Sequence, residues 1–409
     1  MERQVDVAVV GAGIPSLALA IVLQGRGIRT LLLDARKNVD AFPRGLTLQP
    51  NGLDAIEQLG LLDETLKLGR PVQVFEIRDW KRELLLEADY GLLDTPHNYL
   101  LTIDGTRLEQ LLREMTERAG VEVLRGARFK DLVVDGTGKT AGVVLNGTNN
   151  GERISTRLVV GADGAQSQVR SKIKCQTRVH KYADSFIVGL VGPADGLNGR
   201  ARQYQAPEHM LGVLPMADIA TFVHHCVGPT SFDKYKETGL DNFRREVIST
   251  APELELAFKS VENWNRFAFF SPSYIRVDQW VNDGVALLGD SAHTLHPHSG
   301  QGLNLSLQDA LSLARTVEEC HSNNDYSLSR LRRYQEERKP VSDVVGHHAH
   351  YSAIYALSNN RLVQRLNRRA MKKLQKNRKL LKSALEVTAG VFEKKPGLLK
   401  QARIGGILP

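Results

Sequence analysis

VDVAVVGAGIPSLALAIVLQG (residues 5–25) followed by RTLLLD (29–34) decides the fold. The apolar run over 4–10 lacks alternation, the pattern of a strand covered on both faces of a parallel sheet. From about Ile14 to Gly25 the apolar spacing is helical, and Gly27 leads into a second buried strand ending at Asp34. This is a βαβ unit. Gly11-Ala12-Gly13-Ile14-Pro15-Ser16 lies where strand becomes helix. Gly11 permits the tight turn, and Gly13 lets the backbone approach a pyrophosphate at the positive helix end. Asp34, 21 residues after Gly13, is placed to accept hydrogen bonds from a ribose. Ser16 stands where a third glycine is usual and is small enough for close helix–strand packing. The unit predicts a dinucleotide site.

Outward from it, PNGLDAIEQL (50–59) reads as a helix with Gly60 as its C′ residue. Strand-like segments occupy 73–88, and a helix spans Gly105 to Arg118. Strands follow near 121–125, 129–134, 141–146 and 153–160. Residues 176–270 alternate short strands with Gly/Pro turns, the pattern of a mostly antiparallel sheet. VALLGD (285–290) returns to buried-strand character, and the chain is then helical almost to its end. The expected class is α/β: a Rossmann-like domain interrupted by a mostly antiparallel sheet domain, with C-terminal helices. The nucleotide domain takes 1–73, 99–175 and 270–345, the sheet domain 74–98 and 176–269, and a basic helical region 346–409.

Composition sets outer limits. With 409 residues, 42% hydrophobic and 24% charged, the chain suits a globular protein of two interwoven domains. Cys175, Cys226 and Cys320 lie far apart without metal-ligand spacing, so no metal is expected. No apolar run reaches the roughly 18 residues of a membrane span, and no leader pattern precedes the first strand. The expected location is cytoplasmic. The formal charge of +8 is concentrated: residues 361–403 hold 14 Lys or Arg and 2 acids, leaving 40 basic and 44 acidic residues elsewhere. A mildly acidic body argues against nucleic acid as a partner.

Two further segments narrow the dinucleotide. They are LVVGADGAQSQVR (158–170) and GVALLGDSAHTLHPHSGQGLNLSLQDA (284–310). With the N-terminal turn they resemble, in order and spacing, the three fingerprints of the flavoprotein monooxygenase family typified by para-hydroxybenzoate hydroxylase. That family includes ubiquinone-pathway, quinolone and polyketide hydroxylases, and the resemblance spans roughly 1–345. It implies non-covalent FAD, with NADPH or NADH as a transient hydride donor. It also implies O2 activation through a C4a-hydroperoxyflavin that hydroxylates an electron-rich aromatic, quinone or quinolone-like substrate. Asp290 is then expected at the ribityl chain. Gly300, Gln301, Gly302, Leu303 and Asn304 open a helix whose N-terminus, carrying roughly half a positive charge, faces the flavin. Pro297 sits beside the ring. Asp163 and Gly164 match a motif touching both FAD and the nicotinamide. Arg44 and Arg107 match arginines over the FAD phosphates, and Arg36 is a candidate cover for the adenine.

Other features stay open. His298 either faces the flavin as a base or bonds a neighbouring loop, the second being favoured. VLPMADIATFVHHCVG (213–228) reads as a hairpin with Phe222, His224 and Cys226 on one face, either pocket wall or core. His347, His348 and His350 are expected on a solvated helix. In the tail, Leu362, Leu366, Met371, Leu374, Leu381 and Leu385 recur at near-helical spacing among lysines and arginines. That stripe either docks on the FAD domain, the favoured reading, or lies on an anionic membrane, placing the protein at the inner face and suiting a lipophilic substrate. Two alternatives to a hydroxylase are a flavin reductase of the geranylgeranyl-reductase type and a non-catalytic flavin-binding regulatory protein.

Overall fold

Strands that are apolar on both faces need cover on both sides, and the chain supplies it. In the computed structural model, which describes residues 3–38, 45–147, 151–217, 220–392 and 397, the strand Arg3–Val10 is central. It runs parallel to Thr30–Asp34 on one side and to Arg153–Gly161 on the other. Glu122–Arg125 and Val285–Leu287 extend the parallel sheet outward. Helices Ile14–Gly25, Gly105–Arg118 and Gly302–Ser322 cover it. Val7, Val9, Leu17, Leu31, Leu158, Ala286 and Leu313 are among the inaccessible members of this core. The strand order reverses between Thr30–Asp34 and Arg153–Gly161, on opposite sides of the first strand. Open α/β sheets bind ligands at such a reversal.

The second sheet has seven strands in the order 267–270, 185–191, 221–227, 209–215, 201–206, 74–79, 84–89. All its pairings are antiparallel except Ala201–Ala206 against Val74–Asp79. Its outer face is covered by the helices Pro229–Thr238 and Leu240–Thr250, with Phe243 and Val247 in a core beneath them. Those two helices were not expected within 176–270, which reads as a mostly antiparallel sheet. They begin after Gly228 and Gly239, punctuation that the sequence shares with strand turns.

The helix Leu328–Leu357 runs without interruption through position 346, where a boundary was expected. Two shorter helices follow, Arg361–Lys376 and Arg378–Thr388. Their buried residues Met371, Leu374, Leu381 and Leu385 pack with Leu85, Leu86, Leu93 and Leu214. The tail therefore docks, but mainly on the sheet domain. Arg368 bonds Asp79 at 2.5 Å and also Glu83, Lys372 reaches Glu83 at 2.6 Å, and Lys382 bonds Asp94. Part of the basic charge is thus matched by acids of that domain. No helix among the described residues is long and apolar enough to cross a membrane.

Candidate active site

The first turn is bound into the sheet. Gly11 has φ of +107°, and a Cβ there would come within 2.3 Å of the Ala162 carbonyl oxygen. Any side chain would separate the first fingerprint from the second. Gly13 caps the helix Ile14–Gly25, and a Cβ on it would meet only the Pro15 ring, at 3.9 Å. Its backbone is open to the cavity described below. Ser16 also faces that cavity, and its buried hydroxyl has no hydrogen-bond partner among the described residues.

Behind the turn lies a buried charge network that the sequence reading missed. Asp34 Oδ1 accepts from Arg36 N at 3.0 Å and Arg36 Nε at 3.1 Å. Its Oδ2 accepts from Arg36 Nη2 at 3.2 Å and Arg113 Nη2 at 3.4 Å. Arg113 also donates to Glu109 Oε1 at 2.7 Å and to the Ala12 carbonyl at 3.0 Å, bracing the turn from outside. Burial works against the Arg36 charge, but Asp34 and Glu109 outweigh it and hold its pKa above the usual value. Glu109 and Arg113 are an i,i+4 pair. Surface helices carry such pairs routinely, so the spacing gave no signal.

The other two fingerprints meet each other. The Asp163 carboxylate accepts from Gln168 N at 2.6 Å and Val169 N at 3.2 Å, and from the Ser167 and Ser291 hydroxyls. Gly164 N donates to Ser291 Oγ at 3.0 Å. Asp163 therefore ties two loops together, while Gly164 lines the cavity. Asp290 opens on the same cavity just past the strand Val285–Leu287. Its side chain is exposed, yet the protein packed around it pushes its carboxyl above the ordinary range, opposed by His293. His293 Nε2 is 2.6 Å from Asp309 Oδ2, and Arg338 Nε donates to Asp309 Oδ1 at 2.7 Å. Burial alone would raise the Asp309 carboxyl; Arg338 and His293 hold it below its usual range.

Gly302, Leu303, Pro297 and Gly300 face the cavity, and a Cβ on Gly302 would meet nothing within 4 Å. The first N–H groups of the helix Gly302–Ser322 have no intrahelical acceptor, as at any helix start. The Gln301 and Asn304 side chains serve elsewhere. Asn304 Oδ1 accepts from Gln49 N at 2.9 Å, and its amide donates to Gly300 O at 2.7 Å. Gln301 pairs with Asn51 at 3.0 Å and donates to the Thr388 carbonyl at 2.7 Å, fastening the last helix to the turn.

All this opens on one cavity of about 1460 Å³. Ligand pockets run from roughly 300 to 1,000 Å³, so the space suits two molecules rather than one. Its far wall is the inner face of the seven-stranded sheet, where Phe222 and His224 are indeed wall while Cys226 is sealed beneath. Val344, His347, His348 and Tyr351 of the long helix, and Met371, Leu374 and Leu385 of the last two, close it. Among the described lining residues Asp290 is the sole carboxylate, and none is lysine or arginine.

Several expectations are corrected. Arg36 faces Asp34 and Glu109 rather than an open adenine site, and Arg107 is exposed on its helix away from the cavity. Arg44 lies outside the described residues. His298 faces the cavity with Nδ1 2.9 Å from Met210 Sδ, where a loop contact was favoured. Burial lowers its pKa to about 3, so it is neutral and a poor acceptor for a phenol proton. Of the trio expected in solvent, His347 is exposed at the cavity rim, while His348 lines the cavity half-buried and His350 Nδ1 is 2.7 Å from the Tyr182 hydroxyl.

A dinucleotide turn, a helix N-terminus and a strand-end carboxylate around a cavity with room for a second molecule define a flavin-dependent oxygenase architecture. The chain belongs to the FAD binding domain family, whose pattern matches residues 4–348. It is 29% identical over 343 residues to rifampicin monooxygenase of Rhodococcus hoagii, covering 82% of this chain and 68% of that one. Against 6-methylpretetramide 4-monooxygenase of Streptomyces rimosus it is 29% identical over 355 residues, covering 83% and 81%. The crystal structure of PqsL, a FAD-dependent monooxygenase from Pseudomonas aeruginosa, superposes with a TM-score of 0.78 at 26% identity, covering 87% and 97%. The protein is an FAD-dependent aromatic monooxygenase with NAD(P)H as reductant. The site fits FAD: the Ser16 hydroxyl is unpartnered among the described residues, the Gly13 and Gly302 backbones face open space, and the first-turn N–H groups suit an anionic ring edge.

Proposed function

We propose that this enzyme hydroxylates an uncharged, electron-rich aromatic of the quinone or quinolone type. One observation carries the reading: among the described residues, the cavity beyond the flavin end is lined by apolar side chains and neutral polar groups, with no lysine or arginine. A substrate carboxylate would lose its hydration there without a partner, at a cost of several kcal/mol. His224, His298 and His348 do not supply one. Burial lowers His224 and His348 to about 4 and His298 to about 3, so all three are uncharged at neutral pH.

Gly11, Gly13 and Ser16 would hold the FAD pyrophosphate, with Asp34 and Arg36 forming the support behind it. Asp290 would accept from the ribityl chain. The N–H groups of Gly302 and Leu303 would stabilise negative charge on the reduced ring, with Pro297 at its edge. Bound FAD supplies the redox chemistry, taking hydride from a transiently bound NAD(P)H and activating dioxygen. The sheet face and the C-terminal helices orient the substrate and exclude water, which limits wasteful peroxide release. The test is a screen of neutral phenols, quinones and quinolones beside their carboxylated analogues. Expected are stimulated NADPH oxidation and products heavier by one oxygen atom from the neutral set; preference for the carboxylates overturns the reading.

A peripheral membrane contact is proposed on a separate observation. Leu362 and Leu366 remain 64% and 46% exposed, beside the exposed Arg361, Arg365 and Arg369. Co-sedimentation with anionic vesicles that disappears at high salt is expected; equal recovery with neutral vesicles counts against it.

A further inference from the structure

The cavity face of the sheet is apolar on nearly every strand: Phe75 and Ile77, Leu86 and Ala88, Phe186 and Val188 alternate toward it. One strip breaks the pattern. Gln203 and Gln205, two apart on the strand Ala201–Ala206, both line the cavity while only 3% and 7% exposed. The Nε2 atom of each is buried without a hydrogen-bond partner among the described residues. Burying an amide unpaired costs about 1–3 kcal/mol, so two side by side are unexpected in a wall that serves packing alone.

The neighbouring strands extend the strip. Gln203 sits opposite Gly212, which in turn sits opposite His224. A Cβ at Gly212 would fall 1.9 Å from the His224 ring. The glycine therefore lets the imidazole lie across its strand toward Gln203. His224 lines the cavity and its ring makes no hydrogen bond to the described residues. Carboxamides turn end for end at little steric cost, and a neutral imidazole carries one donor and one acceptor. Together they form a polar strip in a wall whose described residues include no lysine or arginine.

We propose that Gln203, Gln205 and His224 bind an uncharged ring oxygen of the substrate, a carbonyl of quinolone or quinone type, and so set which ring edge faces the flavin. This rests on the proposed neutral aromatic substrate and names the group by which it is held. The three are specificity and positioning residues; no proton transfer or redox step is assigned to them.

The test uses the full-length, FAD-loaded enzyme with 2-heptyl-4-quinolone and 2-heptylquinoline, which differ in the ring oxygen. Dissociation constants are read from the flavin absorbance change, and KM and kcat from NADPH oxidation. The parent should favour the quinolone, and Gln203→Leu or Gln205→Leu should weaken it about 5- to 10-fold per lost hydrogen bond while leaving the quinoline unchanged. His224→Gln should keep most of the preference and His224→Phe should lose it. FAD content and Tm, measured alongside, separate misfolding from lost recognition. Equal losses for both probes, or a parent without preference, overturn this inference and leave the neutral-substrate reading standing. If neither probe binds while a carboxylated aromatic does, that reading falls, and this inference with it.

Discussion

The cavity has two walls made in different ways. On the side proposed for FAD the surface is largely backbone: two glycine turns, a helix start and a strand-end carboxylate, with side chains such as Asp163, Asn304 and Arg113 holding loops in place from behind. On the substrate side the surface is side chains contributed by every strand of one sheet and by three helices late in the chain. A backbone wall fixes positions closely but tolerates little change, since a single Cβ at Gly11 would collide with Ala162. A side-chain wall can be repainted residue by residue without moving a strand. In the proposed function one side keeps the cofactor and the other is free to choose a substrate.

The largest effect should come from removing part of the substrate wall. Ending the chain after Asn360 strips Met371, Leu374, Leu381 and Leu385 from the sheet, each less than 10% exposed. At about 1.5–3 kcal/mol per buried side chain, the lost burial is on the order of 6–12 kcal/mol. Thermal melting and light scattering should show a large fall in Tm with aggregation. A soluble, FAD-loaded truncated enzyme of unchanged Tm would show that the helices merely rest on the sheet.

Asp290→Ala probes the opposite wall. It removes one acceptor at the flavin end and leaves the substrate face intact. FAD affinity should fall by roughly 5- to 150-fold, corresponding to about 1–3 kcal/mol. Titration of the FAD-free protein measures it, and an unchanged dissociation constant would mean that the ribityl chain lies elsewhere.

A smaller effect separates the walls by pH. His224, His298 and His348 are held below the ordinary histidine value of 6.5, at about 4, 3 and 4. Burial is the largest cause in each. The folded state thus binds fewer protons than the unfolded one between pH 6.5 and about 4, so stability is present above that window and falls as pH drops through it. Tm measured from pH 7 to pH 5 should decline, and His224→Gln should flatten the slope. An identical slope in that variant would mean His224 takes up its proton without cost to the fold.

The same division explains what the sequence revealed. The strand–turn–helix around Gly11 and Gly13 was legible because a backbone wall demands particular residue types at fixed spacing, whereas the Arg36 and Arg113 contacts that occupy Asp34 were not. Also legible were the helix Gly105–Arg118 and the strand Arg3–Val10, whose apolar periods are unambiguous. Gln203 and Gln205 were not: alternation says two residues share a face, but not that the face borders a cavity. His348 read as solvated because its helix passes under elements more than a hundred residues distant in sequence. The tail stripe was visible, yet a docked helix and a membrane helix share one amphipathic pattern. Only the positions of Leu85, Leu86 and Leu214 show which surface Met371 and Leu374 cover.

The claim at the centre is that the second molecule in the cavity is aromatic and uncharged. The direct measurement is kcat/KM for NADPH oxidation coupled to oxygenated product, with a neutral phenol or quinolone against the same ring bearing a carboxylate. With no lysine or arginine on the described wall and desolvation of an ion costing several kcal/mol, the neutral compound should lead by about 100-fold or more. Equal values, or a preference for the carboxylate, would contradict the account.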